Sequence, residues 1–74
     1  DNAAEGLIYS VEQALTEYGD KLGDDEREDV KDSLERARLA TQGDDADELR
    51  ESVEDLQQLA YRMTEVMYEC FKQD

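Results

Sequence analysis

Carboxylates are the side chains in this sequence with the widest chemical reach, and calcium is the first chemistry they suggest. Asp24, Glu26, Glu28 and Glu35 fall at four of the ligand positions of a helix–loop–helix calcium loop. The position where that loop needs Gly for its sharp turn is Asp29, and Val30 and Leu34 continue a helical period instead. The Asp44, Asp45 and Asp47 stretch lacks the spacing altogether. Paired carboxylates can also do acid–base work, but no His, no Ser–His pair and no Gly-rich phosphate loop accompanies them. Cys70 is the only cysteine and has no neighbouring base, so it reads as a small apolar residue and not as a nucleophile. With no His and one Cys, a zinc site and an internal disulfide are both excluded. The expectation is a chain with no catalytic, cofactor or metal site of its own.

Charge narrows the partners. Twenty-two acids against eight bases give a net charge of −14 over 74 residues. Phosphate contacts need Lys or Arg, so nucleic acid is not expected, and anionic membranes are disfavoured for the same reason. No run approaches the roughly 20 apolar residues of a membrane-spanning helix, and no signal-peptide pattern is visible. An unpaired cysteine at an apolar helical position fits a reducing, intracellular compartment. The excess of acid predicts self-repulsion, so mild acid or added salt should stabilise the fold. Asp1 in place of Met suggests a fragment of something longer.

The elements that hold these residues are helices. Ala46, Leu49, Val53, Leu56, Ala60, Met63, Met67 and Cys70 alternate spacings of three and four, the stripe of a helix presenting one seam to its neighbours. That helix runs from about 45 to 72, with Asp45 and Glu48 as an Asp version of the capping box. A first helix over 2–18 carries Ala4, Leu7, Ile8, Val11, Ala14 or Leu15, and Tyr18, with Asp1 or Asn2 available as its cap. Gly6 weakens it, since Gly in a helix interior costs about 1 kcal/mol. Gly19 is expected as its left-handed C-cap, with Leu22 tucking back onto the helices. A second helix over 24–42 begins with Asp24, Asp25 and Glu26, where acids meet free N–H groups. Its apolar face is thin: Val30, Leu34, Ala37 and Thr41, with Leu39 and Ala40 alongside. Asp32 and Arg36 form an i, i+4 pair, and Gly43 ends the helix. Connections of two to four residues force sequential helices to pack antiparallel. The fold class is therefore all-α, an antiparallel up-down-up three-helix bundle in a single domain. Tyr61, Tyr68 and Phe71, with Leu59 and Val66 beside the seam, either widen the core or form a patch for a partner.

A resemblance adds what patterning cannot. Asn2–Ala3 with Glu5, Leu7-Ile8 and Tyr18-Gly19-Asp20-Lys21-Leu22 resemble the end of the long lid helix of DnaK-type chaperones, the 70-kDa heat-shock family. Asp25-Glu26-Arg27, Val30, Leu34 and the Gln42-Gly43-Asp44-Asp45 turn resemble that family's next helix. Leu49, Val53, the Glu54-Asp55-Leu56-Gln57-Gln58 run and Tyr68 resemble its final lid helices. The similarity covers essentially the whole chain, and the short connections resemble bacterial or organellar members.

The resemblance implies a non-catalytic helical lid of the substrate-binding domain of an ATP-dependent protein-folding chaperone. Such a lid closes on the β-sandwich subdomain of the same chain, over an unfolded client polypeptide. ATP and Mg would act in a separate domain, and the setting would be cytoplasmic or organellar. The family's lid is latched by an acid that pairs with an Arg of the sandwich, a position matched by Glu5. One turn later a side chain bonds a sandwich acid, a position matched by Tyr9, where the best-known bacterial member has His; Tyr can donate that bond but cannot carry positive charge. Isolated lid pieces of the family self-associate, and a truncated first helix exposing Leu7 and Ile8 would drive a homodimer. Two readings stand beside the lid: a free-standing acidic adaptor bundle for a partner helix or basic protein, and a subunit assembling as a coiled coil through the 46–70 seam.

Overall fold

The computed structural model describes residues 2–72, apart from the side chains of Asn2 and Cys70. Helix α1 spans Asn2–Tyr18, α2 spans Asp24–Gln42 and α3 spans Ala46–Lys72, with a short 3-10 turn at Gly19–Lys21 after α1. No strand occurs among the described residues. The three α-helices pack pairwise against one another as an antiparallel up-down-up bundle about 46 Å long and 21 by 17 Å across.

The core collects one stripe from each helix. Ile8 and Val11 from α1, Val30, Leu34 and Ala37 from α2, and Leu56 and Met63 from α3 are buried together. Leu22, in the first connection, folds back among them at 6% exposure. Leu56 is fully buried at the centre of α3. Burial of a leucine side chain stabilises by about 1.5–3 kcal/mol relative to exposure. Ile8 is buried at 7% exposure, whereas Leu7 packs only half-buried against the same cluster.

The seam of α3 departs from the strict three-four stripe. Leu49, Val53, Ala60 and Met67 are only half-buried, and Ala46 is exposed. Ser52, outside the apolar pattern, is completely buried. At about 100° per residue, Ser52 points about 30° from the mean direction of Leu56 and Met63, whereas Val53 points about 70° away. Ala46 lies about 90° away, and it starts the helix where α2 has already ended. The seam position Cys70 lies outside the described side chains. On α2, Ala40 and Ser33 are buried, Thr41 is half-buried and Leu39 is 63% exposed, which narrows the face further.

Both glycine stops differ from left-handed caps, since no described glycine has a positive φ. Gly19 is buried within the 3-10 turn, where its carbonyl accepts the Leu22 N–H at 3.2 Å and Arg27 Nη1 at 3.2 Å. An arginine from α2 thus satisfies the carbonyl that a left-handed cap would otherwise have turned. Gly43 is extended, with its N–H on the Ala40 carbonyl at 3.2 Å. Asp45 caps α3: its Oδ1 accepts the N–H groups of Asp47 at 3.0 Å and Glu48 at 3.2 Å.

Candidate functional site

The outer face of α1 is built by burying the inner one. Ala4, Ile8 and Val11 are buried, which turns Gly6, Tyr9 and Gln13 to the far side and Glu5 to the flank, all exposed. Glu5, Tyr9 and Gln13 recur every four residues and line up along one ridge. Gln13 Nε2 donates to the Tyr9 hydroxyl at 3.0 Å. This steadies the phenol and leaves its own O–H free to donate outward. Gly6 sits among them with open space where a side chain would be. The ridge therefore offers a carboxylate acceptor and a phenol donor one turn apart, with bare backbone between. An ion pair of Glu12 with Arg38 links α1 to α2, and the buried Ile8 and Val11 set the rotation of the ridge.

The α2–α3 face carries a second constellation. Arg36 donates from Nε to Glu48 Oε1 at 3.0 Å and from Nη1 to Asp55 Oδ2 at 3.3 Å, with Glu51 Oε2 at 3.7 Å from Nη2. Its guanidinium pKa is raised, first by the hydrogen bond to Glu48 and that residue's charge, with Asp55 and Glu51 adding less. The described ion pairs of Arg36 run across to α3, and not along α2 to Asp32 as the i, i+4 spacing suggests. Pairing with three acids makes this a clasp between helices and leaves little for a ligand. The seryl hydroxyls of Ser33 and Ser52 are buried without a hydrogen-bond partner.

Asp24, Glu26, Glu28 and Glu35 lie exposed along α2, whose helical backbone cannot wrap a cation as a loop does. Among the described residues, no group of three His, Cys, Asp or Glu side chains could hold a metal ion. No described helix is long and apolar enough to cross a membrane.

A family model described as Hsp70 protein matches residues 1–69, which takes in α1, α2 and most of α3. The chain belongs to the Hsp70 family. No solved structure matches it. The three-helix bundle of this Hsp70 chain fits a C-terminal lid. Glu5 and Tyr9 fall within the matched residues and share one exposed ridge of α1. Gln13 belongs to the same ridge and escaped the sequence reading, although the 5, 9, 13 spacing marks it, while Gly6 reads from sequence only as a weak point of the helix. The clasp at Arg36 had no such signal, because its partners lie 12 to 19 residues away.

Proposed function

We propose that this Hsp70 chain is the helical lid of a substrate-binding domain, closing over an unfolded client polypeptide held by a β-sandwich subdomain of the same protein. The observation that carries the reading is the family match across all three helices. The free ridge of α1 supports it, since a lid must present one helix face that its own bundle does not cover. Glu5 supplies an acceptor for a guanidinium on the facing subdomain, and the Tyr9 hydroxyl supplies a donor for a facing carboxylate. Gly6 lets that surface approach the helix backbone closely.

ATP binding and Mg then belong to another domain of the parent, whose nucleotide state sets whether the lid is open. The DnaK-type assignment rests on the order and spacing of the residues that resemble that family, and the cytoplasmic or organellar setting rests on the short connections. The coding region is expected to continue upstream into a β-rich domain and an ATPase. The decisive experiment replaces Glu5 with Ala in that parent and follows release of a fluorescent client peptide in the ADP state. Faster release supports the latch. An off-rate equal to wild type removes Glu5 from it, and a coding region lacking both upstream domains removes the lid reading itself.

A further inference from the structure

The second half of α3 carries an aromatic stripe that the bundle leaves uncovered. Tyr61, Tyr68 and Phe71 are 63%, 67% and 62% exposed. With Thr64 they recur at spacings of three, four and three, within an arc of about 80° on the helix. The stripe borders the groove where Leu7, Val11 and Ala14 of α1 meet Ala60, Met63 and Met67. Its other border is polar, with Glu65 and Glu69 exposed beside Tyr61 and Tyr68 and the exposed cations Arg62 and Lys72 standing among them.

We infer that this stripe is a docking face for a Lys- or Arg-rich amphipathic segment of a partner polypeptide. Tyrosine faces attract cations, by about 0.5–1 kcal/mol each at exposed sites. Glutamates alongside strengthen that attraction, and the chain's net charge of −14 draws cationic chains toward it. Apolar residues of the segment find the half-buried groove beside the stripe. A second copy fits poorly. Three aromatics at this exposure offer roughly 300–500 Å², short of the ~800 Å² each partner gives to a stable interface. Two copies would also bring a charge of −14 against −14. The inference is independent of the lid reading, because the stripe lies on α3 and the Glu5 ridge on α1.

The test uses a fluorescein-labelled peptide of about twelve residues with Arg and Leu at helical spacing. The same peptide with Glu in place of Arg is the control. Anisotropy at about 0.15 M salt should show binding of the Arg peptide only. Y61A/Y68A/F71A, which keeps every charge, should weaken it by about tenfold or more. Equal binding by that variant, or by the Glu peptide, overturns the proposal. So does a sedimenting dimer that the triple variant dissolves, because the face then belongs to a second copy. Should the variant lose its helical signal, amide shift perturbation on the wild-type chain decides. Shifts confined to 61–72 and the facing turns of α1 support the site, and shifts elsewhere reject it.

Discussion

The guanidinium of Arg36 on α2 meets the carboxylate of Glu48 on α3 at 3.0 Å, and this same carboxylate would have closed the capping box at Asp45. Asp45 still accepts the N–H groups of Asp47 and Glu48. The Glu48 side chain is held by Arg36 instead, so one residue begins the helix with its backbone and fastens it to α2 with its side chain. Arg38, two residues on, pairs with Glu12 of α1. A single turn of α2 therefore clasps the other two helices.

Removing the clasp should show as a salt effect. Arg36→Ala is expected to lower the melting temperature at low salt, with the deficit narrowing as salt rises, since the pairs are half-exposed and screened. A raised folded pKa means that Arg36 contributes in full below its unfolded value and loses the contribution only as pH climbs past its folded one. Near neutral pH this group therefore adds no pH slope, and salt is the lever to vary. Wild type should itself gain stability with salt as the repulsion of 22 acids is screened. Arg50→Ala is the control, because Arg50 pairs only locally with Asp47 in the described contacts. A deficit at Arg36 that does not change with salt would mean lost packing and not lost charge.

Leu56 is the centre of the core at 0% exposure. Leu56→Ala should cost about 2–5 kcal/mol, against a total stability of roughly 4–11 kcal/mol for a chain this size. Leu56→Asp adds an unpaired buried charge and should abolish the helical transition. Thermal melts followed by circular dichroism measure both; a Leu56→Asp chain melting like wild type would displace this residue from the core.

Ser52 makes the opposite kind of prediction. Its hydroxyl is completely buried and has no partner, so the folded state carries a desolvation cost without a bond. Ser52→Ala removes that cost at little loss of volume. It should leave stability unchanged or raise it by about 1 kcal/mol. A loss of similar size in chemical denaturation would reveal a hydrogen bond to the hydroxyl, such as one to a backbone carbonyl a turn earlier.

The helices were legible because each carries its own apolar period and the connections are too short for anything but antiparallel packing. Ser52 was not, because its identity says polar while its angle says core. Reading the stripe by a strict alternation of three and four chose Val53 and Ala46, which a helix of 3.6 residues per turn rotates toward the edge. The glycines marked the ends of α1 and α2 correctly but not their backbone shape, since what Gly19 does depends on Arg27, eight residues later. Exposure of Tyr61, Tyr68 and Phe71 was undecidable from spacing alone. They adjoin the seam by a fraction of a turn, and only the placement of α1 shows that nothing in the bundle covers them.

Gly6 separates stability from docking. It lies in the second turn of α1 with negative φ and no atom within 4 Å of where a Cβ would stand. Nothing in the bundle requires glycine there, and it weakens the helix that carries Glu5 and Tyr9. Gly6→Ala should therefore stabilise this chain by about 0.5–1 kcal/mol, read as a higher midpoint in urea. If a facing subdomain seats on the α1 ridge, the added methyl group should also hold that surface away and speed client release in the parent chaperone. A more stable bundle with faster release would place the contact at Gly6. A more stable bundle with unchanged release would mean that the ridge meets its partner through side chains alone.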